Sequence, residues 1–175
     1  MTTRRPVLAR LSPGLVAGAL ALAQPAIAQL PENACYAMRL DARALANEPE
    51  RGVAELYVHF IALTRYDRST KGQWRHVRLT AVMAGQGQGL RDHAAGATLT
   101  AVAECRTERL SCWAHDNTAS FELTVHDART IALRTRHFPV ADYGGSMMAS
   151  DLAESANRDT VYLLSRLNDG PCPVE

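Results

Sequence analysis

The stretch that decides the fold runs from Cys105 to Leu133: CRTERLSCWAHDNTASFELTVHDARTIAL. In its middle, Ala119, Phe121, Leu123 and Val125 alternate with Ser120, Glu122, Thr124 and His126. A two-residue period is that of a strand with one face buried, and no helix satisfies it. Strand register is then testable, because a slip of one residue sends every apolar side chain to the wrong face. With Glu108 and Arg109 as a turn, Cys105 pairs with Cys112. With Asn117 and Thr118 as a turn, Cys112 lies opposite Leu123 and Leu110 opposite Val125. A loop Asp127-Ala128-Arg129 sets Leu123 opposite Leu133, Val125 opposite Ile131 and Glu122 opposite Arg134. The result is a four-stranded meander. Its inner face carries Leu99, Cys105, Cys112, Phe121, Leu123, Val125, Ile131 and Leu133. Its outer face carries two cross-strand rows, Glu104, Trp113, Glu122, Arg134 and Val102, His115, Ser120, Arg136.

Outward from this stretch the same alternation predicts strands at Val53 to Thr64, Gln73 to Ala84, Ala97 to Arg106, Arg109 to His115, Ala119 to His126, Thr130 to Phe138 and Thr160 to Leu167. The fold class is therefore mainly β: an antiparallel meander of about seven strands forming a small barrel or sandwich. Short helices are predicted at Asp41 to Asn47, stopped before Pro49, and at Asp151 to Asn157, where Asp151 and Glu154 have capping-box spacing. Two long connections, Gly85 to Gly96 and Pro139 to Asp159, exceed the usual loop length and attract functional suspicion.

The first residues read as a secretory leader. Arg4, Arg5 and Arg10 precede an apolar core Leu15 to Ala23 and the cleavage signal Ala26-Ile27-Ala28. Nine apolar residues of helix rise about 13 Å, against a hydrocarbon core of about 30 Å, so the segment is too short for an anchor. The expected organisation is a signal peptide over 1–28 and one disulfide-tied β domain over 29–175, periplasmic or secreted. Thr3 to Leu8 resembles a twin-arginine export signal, with Pro6 and Val7 as weak matches that leave the ordinary Sec route open, and Glu32-Asn33-Ala34 before Cys35 is no lipobox. Four cysteines in an exported chain read as two disulfides. The spacing favours Cys105 with Cys112, leaving Cys35 with Cys172.

Losing the leader leaves 16 basic against 18 acidic residues, a net charge of −2. That balance excludes nucleic acid as a partner, and no membrane attachment is expected after cleavage. The chain contains no CxxC, CxxCH, HExxH or calcium-loop spacing. Gly85, Gly87 and Gly89 miss the GxGxxG spacing by one, and Met148 stands where GxSxG requires glycine. His115, His126 and His137 recur every eleven residues, but strand geometry separates His126 from the other two by about 23 Å. Met147 and Met148 read as apolar anchors. No metal and no cofactor are expected.

What stands out is the outer face around Trp113. An indole with His115, Arg134 and Arg136 nearby is the residue mixture of binding hot spots, and it forms the candidate binding set. The competing reading pairs Arg134 with Glu122 across the strands.

The segment Cys35-Tyr36-Ala37-Met38-Arg39-Leu40-Asp41-Ala42, the cysteine-bearing hairpin and the last strand Asp159 to Leu164 resemble a group of small exported bacterial proteins of uncharacterised function. That resemblance implies a short helix within Cys35 to Ala42. In size and disulfide-tied β architecture the chain is also similar to periplasmic lysozyme inhibitors, a fold-level analogy. The function expected is a non-catalytic periplasmic or secreted binding or inhibitor-type domain, its partner a protein or glycan of the cell envelope. A structural or assembly factor of the envelope and a metal-assisted hydrolase are the alternatives.

Overall fold

The computed structural model describes residues 33–61, 74–114, 118–142, 148–155 and 158–173. The segment expected to act as a leader, the expected turn residue Asn117, His115 and Met147 lie outside them. The chain runs β1 (Cys35–Arg39), α1 (Ala42–Asn47), β2 (Val53–Phe60), β3 (Trp74–Met83), α2 (Gly87–Arg91), β4 (Thr98–Arg106), β5 (Ser111–Ala114), β6 (Ser120–Asp127), β7 (Thr130–His137), β8 (Pro139–Ala141), β9 (Ala149–Asp151) and β10 (Thr160–Asn168).

Strands β1 to β7 pair each with the next, β10 pairs with both β7 and β1, and the ring closes as an eight-stranded antiparallel barrel. Closure removes most of the exposed sheet edge that an open meander would leave. The small hairpin β8–β9 attaches to β4 through Thr100 and Ala141, where the short β5 has run out. All seven expected strands are present and both disulfides form as the spacing favours.

Alternation fills the barrel. Leu56, Val58 and Phe60 from β2, Val77 and Leu79 from β3, Leu99 from β4, Ile131 and Leu133 from β7 and Tyr162 and Leu164 from β10 all point inward and are buried. The Phe121 and Phe138 rings meet edge to face at 4.8 Å. Phe138 follows β7, and with Val140 and Leu152 it covers the core where the chain crosses toward β4.

Several expectations change. Cys35–Arg39 is a strand and not part of a helix, because Cys35 and Tyr36 are buried on opposite faces, one in the disulfide and one in the core. The helix begins later, at Ala42, capped by the Asp41 carboxylate on the Ala44 N–H at 2.8 Å. Cys112 lies opposite Phe121, not Leu123, and pairing closes at Ala114 and Ala119. A tight turn at Asn117-Thr118 would need positive φ at both residues, which β-branched threonine resists, and four residues, not two, separate the last bonded pair. The slip is two residues, so every side chain keeps its face.

No helix forms at 151–155. Asp151 ends β9 and accepts from the Phe138 and Ala153 N–H groups, each at 2.8 Å, while Glu154 turns inward to Arg51. A short helix appears instead inside the Gly85 to Gly96 connection. Gly87 has φ +54, and a Cβ there would lie 2.2 Å from the Glu50 carbonyl oxygen; a Cβ on Gly89 would meet the Ala84 oxygen at 2.6 Å. These glycines serve close backbone packing of α2 against the entry to β2.

Candidate functional site

Three groups of side chains on and beneath the outer wall carry chemistry. The first surrounds Trp113. Because of the two-residue slip, Trp113 faces Glu104 and Ser120 rather than Glu122. Its indole meets that of Trp74 at 6.4 Å, and the Arg106 guanidinium carbon lies 5.2 Å from the Trp74 ring and 5.7 Å from the Trp113 ring. Register explains the cluster: Trp74 is directly across from Arg106 on β3 and β4, and Glu104 is across from Trp113 on β4 and β5. Both indoles are half-buried and Arg106 is exposed. Among the described residues no carboxylate lies within 4 Å of the Arg106 guanidinium. Contact with two rings holds the cation in place at about 0.5–1 kcal/mol per ring while leaving its N–H edge available.

The second group lies one and two strands further round. A β-bulge sets Arg136 and His137 together opposite Ser120, and both are exposed. A groove of about 440 Å³ runs here, lined by Ser120, Glu122, Arg134, Arg136, His137 and Asp159. Its cations are already matched. Arg134 pairs with Glu122 as the register required, and reaches Asp159 at 3.7 Å; Arg136 Nε donates to Asp159 at 3.0 Å. The His137 ring contacts Asp151 through Nδ1. Exposed pairs of this kind are screened by solvent and add little to stability. Arg134 and Arg136 therefore face carboxylates of their own chain, and Trp113 is not beside Arg134.

The neighbouring hydroxyl is also committed: Thr135 Oγ1 donates to the Ser120 carbonyl at 3.0 Å and accepts from the His137 N–H at 3.2 Å.

The third group is buried at the end of the barrel where α1 meets β2. Glu154 accepts from the Gly52 N–H at 3.0 Å and lies 3.2 Å from Arg51 Nη1. Burial pushes its carboxyl above the ordinary value, more than Arg51 and the Gly52 N–H bring it down. The Tyr162 hydroxyl donates to the Leu152 carbonyl at 2.6 Å, and burial raises its pKa strongly. Each polar group here ties one segment of the chain to another.

Trp74 and Arg106 are the two residues that sequence reasoning left out. The Cys105 to Cys112 pairing already put Arg106 on the outer face, diagonal to Trp113; the missing piece was the β3–β4 register that brings in Trp74. No family model, no curated protein and no solved structure matches the chain.

Proposed function

We propose that the protein is a non-catalytic binding or inhibitor-type domain of the bacterial periplasm or exterior, taking an anionic protein or glycan of the cell envelope at the outer wall around Trp113. One observation carries the reading: Arg106 is clasped by Trp74 and Trp113 without a carboxylate partner among the described residues. Aromatic rings supply rigid contact area, and a guanidinium makes paired hydrogen bonds to a carboxylate. The self-neutralised groove of Arg134 and Arg136 is the rim of this surface, and a ligand entering it displaces Glu122 or Asp159.

The test is capture from envelope extract by the immobilised mature protein, compared among variants. Trp113→Ala and Arg106→Ala each lower capture by about thirtyfold, the effect of losing a hot spot of about 2 kcal/mol. Unchanged capture by both variants, with loss on altering Pro139 to Asp159, moves the site to that loop. Export is checked by intact mass: the mature chain starts at Gln29 and has no alkylatable cysteine before reduction.

A further inference from the structure

The barrel wall has a gap in its hydrogen bonding, independent of the Trp113 surface. β1 pairs with β10 only through Cys35, Tyr36 and Ala37, opposite Asn168, Arg166 and Ser165. Met38 and Arg39 pair with β2 alone, and Thr160 to Leu164 pair with β7 alone. The facing of each peptide group follows from one bond. The Arg166 N–H donates to the Arg129 carbonyl on the β7 side at 2.6 Å. Peptide groups alternate sides along an antiparallel strand, so Leu164 and Tyr162 also face β7, whereas Leu163 and Val161 face the side that β1 has vacated. Among the described residues neither Val161 nor Leu163 has a registered partner on that side, where the β1–β10 pairing stops at Ala37 and Ser165. Their side chains point outward and are 51% and 59% exposed.

A cleft of about 390 Å³ adjoins this edge, lined by residues that include Glu48, Glu50, Arg51, Ser155, Arg158 and Val161. Most of its charges are spoken for. Arg51 pairs with Glu48 and Glu154, Glu50 with Arg91, and Asp159 with Arg134 and Arg136. Arg158 differs: its guanidinium contacts only the Ser155 hydroxyl, at 3.2 Å, among the described residues.

We propose that Val161 to Leu163 accepts an extended peptide from a partner protein as an added strand, with apolar residues at alternate positions over Val161 and Leu163 and a carboxylate reaching Arg158. Unpaired backbone groups on a strand edge select an extended chain, and the exposed apolar pair selects alternating side chains. A second copy of this chain fits worse. Antiparallel pairing of two copies about Tyr162 places Arg158 of each copy level with Arg166 of the other, so like charges meet twice.

The probe is a fluorescein-labelled peptide alternating valine and threonine over six residues with two glutamates at one end, titrated by anisotropy into the disulfide-intact mature protein. Val161→Pro removes the N–H facing the cleft without touching the β7 ladder, and it and Arg158→Ala each weaken binding by about tenfold or more. Methylating alternate peptide nitrogens on the pairing edge abolishes it. In the wild type, the Val161 and Leu163 amides exchange hydrogen faster than those of Tyr162 and Leu164 and become protected by the peptide, a readout that stands even if Val161→Pro fails to fold. Absence of binding, equal binding of the methylated peptide, or slow exchange at Val161 and Leu163 in the free protein overturns the proposal. So does a concentration-dependent dimer lost in Leu163→Lys, which makes a second copy the occupant.

Discussion

Arg51 and Glu154 meet at 3.2 Å at the end of the barrel, and the same guanidinium lies 5.3 Å from the centre of the Tyr162 ring. The pair joins the entry of β2 to the segment after β9. Among the described residues Glu154→Ala leaves Arg51 the exposed Glu48 as its remaining ion partner and leaves the Gly52 N–H unsatisfied, so it costs about 3–5 kcal/mol in denaturant unfolding at neutral pH. Because burial raises the folded-state pKa of Glu154, the pH-dependent part of its contribution is full below its ordinary value of 4.5 and is lost as pH rises through the raised value, on top of the pairing that Glu154→Ala removes. Wild type therefore loses stability relative to Glu154→Gln on going from pH 4 to pH 7. A flat difference over that range removes burial as the dominant cause.

Asp92 has the opposite sign. Burial pushes its carboxyl up, but hydrogen bonds from Ser150, Gln88 and the Asp151 N–H outweigh it and hold the pKa below the ordinary 3.8. Its contribution is present above that value and is lost as pH falls through the folded-state value. Asp92→Ala costs about 1.5–3 kcal/mol at pH 7 and progressively less in acid, measured as the gap between the two unfolding curves.

The disulfides differ in what they restrain. Cys35 and Cys172 are 137 residues apart, Cys105 and Cys112 only seven. In the chain-entropy account, removing the first costs about 5 kcal/mol and the second about half that. Paired serine variants measured by urea unfolding give the ranking, and equal losses contradict the loop-length argument.

Phe121 is 2% exposed and packs on Phe138. Phe121→Ala costs about 3–5 kcal/mol. A loss below about 1 kcal/mol means that its face is not the core.

Alternation made the barrel legible because strands carry their signal locally. Phe121, Leu123, Ile131 and Leu133 declare an inner face without help from the rest of the chain, and the Glu122–Arg134 pair follows from it. β1 stayed hidden because its five residues are covered on both faces, by the core at Tyr36 and by the disulfide at Cys35, and so do not alternate. β8 and β9, of three residues each, owe their shape to Phe138 and Asp151 contacts made across the barrel end. The candidate site split for a similar reason. Trp113 was visible as an outward aromatic, but its partners depend on a β5–β6 loop whose length no tight-turn rule supplied, and on a β3–β4 pairing between strands separated by α2.

The bond between Cys35 and Cys172 has a mechanical consequence. Both described ends of the domain leave from the same covalent staple, with sulfur atoms joined across a separation of 137 residues. Tension applied to the two ends travels through that staple and never loads the strands between. A molecule stretched in this way yields almost no extension while oxidised. Once that bond is reduced the strands bear the load, and their unfolding with the Cys105–Cys112 loop still closed releases a contour length of about 430–470 Å at 3.3–3.6 Å per residue, so one thiol exchange converts an inextensible tether into a compliant one.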